Sequence, residues 1–411
     1  MPDYSRILSV CKEVNAISAE VVDKFLMYYA AAQERLDREM DKRLARFRQV
    51  TNKLPQSSVN LIQAQYICHR VFKKDGLIKK YLNHAAVKAL PTDQLNFLRQ
   101  HSAHPWRYSF SVIIANPEKD FYEMEDAFNG ETFLLHSPSI TQTLSEESVS
   151  LWFNLIMFNG ACWQTFGPVV PFRSFQPDDI FFFATELDPH IESEEELMED
   201  VEEDPFPYLM LISAANYPFT IHGKDEIVQL VAEHPLEVFD GNMLKPDFKL
   251  EYAKNVYRIT SGKWADPPHF ATAYYLEEKK SLMLTAMTDR GFNALVKKMN
   301  KHGFKLPSEP DIRVHLPMLI AIKAILGRDV KLNPYEKLFE RLSTQADYDK
   351  MAKLNHLLSL ALPSINAGRV PDVEALAKEA GVDIKAARAL LSKSISRIKM
   401  MRKRIDKKGR V

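Results

Sequence analysis

The chain has 411 residues, 46% hydrophobic and 26% charged, with a formal net charge of zero. Such values supply enough apolar material for sizeable cores and suggest roughly two to four domains. The neutral balance excludes a uniformly basic coat for nucleic acid, yet it leaves charge free to segregate along the chain.

The three cysteines, Cys11, Cys68 and Cys162, are odd in number and far apart. They give neither a disulfide framework nor a CxxC metal pair, and they fit a reducing, cytoplasmic compartment. The opening MPDYSRILSV lacks the basic and apolar regions of a signal peptide. No run approaches the roughly 18 apolar residues of a membrane span. A cytoplasmic protein with no membrane partner is expected.

Residues 1–100 read as a helical region. Ile17, Val21, Phe25, Tyr29, Ala32, Leu36, Met40, Leu44 and Phe47 recur every three or four residues, one apolar face of a long helix over 16–52. Charged residues of both signs lie between them, and Asn52 and Pro55 end the pattern. The texture changes at Pro105. WRYSFSVII, FYEMEDAF, ETFLLHS, SLWFNLIMF and DIFFFATEL are rich in aromatic and β-branched residues and are separated by turn signals. They predict an antiparallel β module over 105–187, sheet or barrel. Asn129-Gly130 predicts a hairpin with a primed turn.

Ten Asp or Glu and no Lys or Arg lie from Asp188 to Asp204, which predicts an acidic linker over 188–205. An α+β module over 206–306 follows. PYLMLISAANYPFTIHGKDEIVQLV reads as strand, turn, strand and a helix opening at Lys224-Asp225. HFATAYYLEEKKSLMLTAM reads as a hairpin turning at Glu277–Lys280, and DRGFNALVKKMNKHGF as an amphipathic helix capped by Gly303. A helical region spans 310–365.

The C-terminal segment 371–411 carries the sharpest signal. Pro371 and Asp372 open a helix over VEALAKEA, Gly381 supplies a tight turn, and Asp383 caps a second helix. Leu376, Ala377, Ala380, Val382, Ala387 and Leu390 supply the small and apolar positions. Over residues 371–397 the sequence resembles the helix-turn-helix DNA-binding superfamily. The resemblance implies that the second helix enters the major groove and that Lys385, Arg388 and Ser392 reach bases or phosphates. Ala386 and Ala389 would offer only contact to a thymine methyl. From Lys393 to Arg410 nine Lys or Arg face one Asp406. Among them Lys393, Arg397, Lys399, Arg402, Lys403 and Arg404 are further expected phosphate contacts. The opposite charges predict that residues 188–204 fold back on this tail and compete with nucleic acid.

An enzyme reading rests on Asn159-Gly160-Ala161-Cys162-Trp163, which resembles the nucleophile segment of papain-like cysteine proteases. The resemblance implies a Cys162 nucleophile and a base, for which His302 is at a suitable separation. Ile156 stands where that family has its oxyanion glutamine, and Gly167, Pro168 and Pro171 forbid its long helix. A buried structural cysteine beside a core tryptophan is the competing account. No phosphate-binding loop, dinucleotide fingerprint or HExxH metal motif occurs, so no cofactor or metal is expected. His101 and His104 read as loop residues.

The fold class expected is α+β and multidomain: a helical N-terminal region, two β-containing modules, and a helical C-terminal region ending in a helix-turn-helix. The function expected is a non-enzymatic, regulatory nucleic-acid-binding protein, with DNA as partner. The alternatives are a protein-interaction scaffold docking through helix 16–52, and a hydrolase using Cys162.

Overall fold

A computed structural model of the chain describes residues 2–144, 149–167, 169–244, 247–261, 268–339, 345–366, 369–392 and 395. The protein is α+β, helical at both ends with sheets between. It forms two compact units, Met1–Tyr335 and Glu336–Val411.

In the first unit, β1 (Arg107–Glu118), β2 (Phe121–Asp126), β3 (Thr132–His136), β4 (Leu151–Phe158), β5 (Trp163–Thr165) and β6 (Val170–Phe172) form one sheet. Its order is β1-β2-β3-β5-β4-β6, and β1 also pairs with β4. The pairings therefore close a five-strand ring, with β6 added on β4. Only β3 and β5 pair in parallel among these.

The period of two explains why LWFNLIMF is apolar throughout. Leu151, Phe153, Leu155 and Met157 of β4 face the large helical core, while Trp152 and Ile156 pack with Tyr122, Met124 and Leu135. The N-terminal helices cover the outer face. Phe72 of the Gln56–Phe72 helix stacks on Trp106 at 4.2 Å between ring centroids, and Phe110 on Phe153 at 4.3 Å.

The expected long helix over 16–52 is broken. It runs as Tyr4–Ser18, a π-helical Ala19–Leu26, Met27–Glu34 and Leu36–Arg46, with Arg35 in the left-handed region at φ 57°. An apolar spacing of four drifts around a 3.6-residue turn. The wider π turn and the Arg35 break realign it, burying Val21, Leu26 and Ala31 five apart, then Leu36 and Met40. Ala32 is exposed instead. This apolar face is occupied by the chain's own core, so a partner docking on helix 16–52 would meet mainly its charged side.

The second sheet follows β7 (Ile221–His222) and β8 (Asp225–Glu226), a small hairpin around Gly223. It contains β9 (Val228–Pro235), β10 (Phe248–Ala253), β11 (Val256–Ser261), β12 (Ala271–Leu276), β13 (Ser281–Ala286) and β14 (Ile312–His315). The order is β10-β11-β12-β13-β9-β14, antiparallel throughout. The Asp289–Asn300 helix lays Phe292, Leu295, Val296 and Met299 on one face of it. Gly303, at φ 91°, donates its N–H to the Asn300 carbonyl and closes the turn after that helix. The hairpin around Glu277–Lys280 is as expected, and a further one, β10–β11, turns on Lys254 and Asn255, both at positive φ.

Several expectations are corrected. DIFFFATEL is not a strand but part of the Pro177–Leu187 helix. Pro177 sits at its first position, and Asp179 accepts the N–H of Gln176 at 2.8 Å to complete a capping box. PYLM is helical over Phe206–Leu209, and the residues around Lys224-Asp225 form β7 and β8 rather than opening a helix. Asn129-Gly130 belongs to a longer loop, not a two-residue primed turn. Glu125 pairs with Thr132, and Asp126 accepts the N–H groups of Phe128 and Asn129. His101 lies in the Thr92–Ala103 helix, where burial and then His104 push its pKa down to about 3.

The acidic linker expected over 188–205 is largely a packed helix, Glu194–Glu203. Ser193 caps it through the Glu196 N–H at 3.2 Å, and its early carboxylates suit the positive helix end. Leu197 and Val201, one turn apart, are fully buried in the main core. Glu202 accepts from the Tyr108 N–H at 2.7 Å and lies 2.8 Å from His69 Nε2. The segment therefore has a structural place within the first unit, where its carboxylates are partly engaged.

Candidate nucleic-acid interface

In the second unit, the Gln345–Asn366 helix supports Val373–Ala380 and a following helix over 384–392. Asp372 Oδ1 accepts the N–H groups of Glu374 and Ala375 at 3.1 and 3.2 Å, which fixes the first start. The chain leaves that helix through Gly381 at φ 64°. The Gly381 N–H donates to the Lys378 carbonyl and the Val382 N–H to the Ala377 carbonyl at 2.9 Å. This paired closure satisfies carbonyls that the helix end would leave bare, and glycine adopts its left-handed residue without a Cβ penalty. Asp383 then caps the next helix through the Ala386 N–H at 3.1 Å.

Small side chains hold the helices together. Ala377, Ala380 and Ala387 pack with Leu357, Ala361 and Leu391, all buried. Leu391, one turn after Ala387, takes the core position expected for Leu390, which is 42% exposed. The expected contact residues Lys385, Arg388 and Ser392 are all exposed. Their spacing of three and then four places them along one face of the helix. Arg388 is bonded to Glu374 across the turn, an ion pair whose two side chains are 63% and 65% exposed. Such an exposed pair holds weakly and can exchange for a phosphate. Ser392 Oγ donates to the Ala389 carbonyl at 2.8 Å. Lys393, Arg397, Lys399, Arg402, Lys403 and Arg404 lie outside the described residues.

Two clefts of the first unit, about 730 and 750 Å³, are mainly acidic: Glu194, Glu195, Glu199, Glu202 and Glu203 outnumber Lys73 and Lys74 in one, and Glu186, Glu192, Glu309 and Asp311 outnumber Arg313 in the other. Their carboxylates repel a nucleic-acid backbone.

The structure does not unite the residues of the enzyme reading. Cys162 is 2% exposed, and its nearest polar partners are Cys11 Sγ at 3.5 Å and Asn159 Nδ2 at 3.6 Å. The hydrogen bond with Cys11 and then burial push its thiol pKa well up, the wrong direction for an attacking sulfur. His302 is bonded to Asp247 at 3.0 Å, beside the second sheet. Sequence reading missed the neighbours that Cys162 does have, because Cys11 lies 151 residues away and no local pattern links them.

Among the described residues, no group of three or more His, Cys, Asp or Glu is arranged to hold a metal ion, and no helix is long and apolar enough to cross a membrane. No protein-family model matches the chain, and no curated protein is significantly similar to it.

Proposed function

We propose that the chain is a nucleic-acid-binding protein that contacts duplex DNA through the helix over 384–392 and the basic sequence after it. One observation carries this reading: Lys385, Arg388 and Ser392 share an exposed face just after a glycine turn. Ala386 and Ala389 between them are small and exposed, which lets the helix backbone approach a groove. Lysine and arginine on such a face suit phosphate and guanine edges. The nine basic residues of the final stretch add salt-dependent, sequence-independent affinity. Binding of this kind fits a regulatory role, and the three unpaired cysteines fit the cytoplasm.

The test is duplex-DNA binding by the full chain across a salt series, against a Lys385→Ala/Arg388→Ala variant. Loss of two phosphate contacts lowers the slope of log affinity on log salt by roughly 1.8. No binding at low salt, or a variant with unchanged affinity and slope, overturns the reading.

A second reading, a protein-interaction scaffold, is favoured by Ile384 and Leu390, 45% and 42% exposed on the same unit. Apolar side chains placed there suit a protein partner better than a phosphate backbone. An Ile384→Asp/Leu390→Asp variant that binds DNA as before, but loses a chromatographic self-association or partner complex, would favour it.

A further inference from the structure

Cys11 lies on the buried side of the Tyr4–Ser18 helix, and Cys162 in the loop joining β4 to β5. Their sulfurs are 3.5 Å apart, and both are free thiols. The pair packs against Phe121, Ile7, Leu8 and Leu134, with a small set of polar groups at the sulfurs. Asn159 Nδ2 donates to Cys11 Sγ at 3.3 Å and also lies 3.6 Å from Cys162 Sγ. Asn159 Oδ1 accepts the N–H groups of Ala161 and Cys162, each at 2.8 Å, so the amide cannot turn away. Gln164 fixes it further, with Oε1 accepting from Asn159 at 2.6 Å and Nε2 donating to the Cys11 carbonyl at 3.2 Å. His136 is 4% exposed, and its ring lies near enough to Cys11 to favour the thiolate there.

These groups treat the two sulfurs differently. The Cys162 thiol outweighs burial at Cys11, and His136 and Asn159 assist, bringing the Cys11 pKa down to about 5. The same sulfur contact, with burial, raises Cys162. The paired thiols therefore give up a first proton more readily than an isolated buried thiol does, and hold the second more tightly. Cys68 is an internal contrast: it is equally buried, and burial followed by the Asp23 charge raises its pKa.

We propose that Cys11 and Cys162 form a peroxide-reactive dithiol site that closes to an intramolecular disulfide. The Cys11 thiolate attacks one peroxide oxygen. An S–O bond forms, the O–O bond breaks, and the departing hydroxide takes up a proton to become water. With the Cys11 thiolate consumed, Cys162 is freed from the contact that held its proton, and it attacks the resulting sulfenic sulfur as it gives up that proton. The S–S bond forms, the S–O bond breaks, and the oxygen leaves as the second water. Two thiols and one hydrogen peroxide give one disulfide and two waters, with two electrons passing from sulfur to oxygen. The sulfurs must close from 3.5 Å to the ~2.05 Å of a disulfide. The loop residues Gly160 and Ala161, beside Cys162, are exposed, which gives a small oxidant a short path inward. The product ties the first helix to the sheet.

The experiment treats the full chain with hydrogen peroxide, quenches it, denatures it and blocks remaining thiols with N-ethylmaleimide for intact mass and non-reducing peptide mapping. Before oxidation three maleimides add, one per cysteine. Afterwards one is expected, on Cys68, with a peptide bearing Cys11 joined to one bearing Cys162 and both thiols regained with dithiothreitol. A Cys162→Ser variant is expected to leave a Cys11 sulfenic acid that dimedone traps. Three maleimides retained at a peroxide dose that oxidises free cysteine would overturn the proposal. So would loss of Cys68 as fast as the pair, or a disulfide between chains. Because the unaltered protein carries the main result, misfolding of the variant leaves the test intact.

Discussion

Asp179 accepts two hydrogen bonds from His315, one from its backbone N–H at 2.7 Å and one at ring Nδ1 at 2.9 Å. The partners are 136 residues apart, and both are almost completely buried. Asp179 also completes the cap of the Pro177–Leu187 helix, while His315 ends β14 and precedes the Leu316–Leu326 helix. One carboxylate therefore fixes a helix start near the middle of the unit's sequence to a strand end close to its finish. Asp179→Ala would leave the His315 groups buried without their acceptor, at a cost on the order of 3 kcal/mol. Urea unfolding would show this as a lower midpoint at unchanged slope. A loss under about 0.5 kcal/mol, the ordinary effect of a surface change, would contradict it.

The same histidine makes stability depend on pH. Burial lowers its pKa, but Asp179 and then Glu226 outweigh that effect against the opposing Arg313 charge, and the net direction is upward from 6.5. The groups facing it are Asp179, Glu226, Arg313 and the Phe219 ring. A raised histidine pKa stabilises the fold fully below the unfolded value and loses that contribution as pH rises through the folded one. Glu226 acts at the other end. Burial raises it, but His315 and Arg313 bring the net pKa below 4.5. Its contribution is present above that value and is lost as pH falls through the folded pKa. Unfolding free energy should therefore drop as pH rises from the ordinary histidine value of 6.5 through the higher folded one. The drop should be smaller in His315→Asn, and equal drops in the two proteins would exclude His315 as its source.

Leu197 separates a packed helix from a solvated linker. It is fully buried although carboxylates surround it in sequence. Leu197→Ala should cost about 2–5 kcal/mol through lost burial and a residual cavity. Thermal unfolding measures it, and an unchanged midpoint would show that the acidic helix does not contribute to the core.

Gly381 occupies φ 64° with no atom closer than 3.8 Å to where a Cβ would stand. Space is available, so the cost of a side chain there is conformational. Gly381→Val should destabilise the turn by about 1–2 kcal/mol. Amide exchange in Val373–Ala380 should then quicken by roughly 5–30-fold in the full chain. Unchanged exchange would mean that the turn does not limit opening of this helix.

The sequence made legible those elements whose residues speak locally. Asp372, Gly381 and Asp383 announce two capped helices, and two short apolar runs around a charged turn announce the β12–β13 hairpin. DIFFFATEL carries no period, because Ile180 to Ala184 is an unbroken apolar run; Pro177 and Asp179 decide it as helix. In the acidic stretch Ile191, Leu197, Met198 and Val201 are the few apolar positions among many carboxylates, so composition concealed the helix. Choosing Leu391 over Leu390 for the core needs the helix phase, which sequence fixes only to within a residue. The pairings Asp179–His315 and Cys11–Cys162 join distant positions and leave no mark on local periodicity.

The placement of Cys11 also bears on how the chain is made. Its helix is synthesised before the loop that receives it, and Cys162 in that loop follows 151 residues later. At about 5–20 residues per second, roughly 8–30 s pass before Cys162 is even polymerised. Throughout that interval the nascent helix has no sheet to cover its apolar side, and the Cys11 sulfur stands open to any electrophile in the cell. Docking of the Tyr4–Ser18 helix on the sheet is thus a late event in biosynthesis, and a thiol buried in the finished protein is left exposed while it is being built.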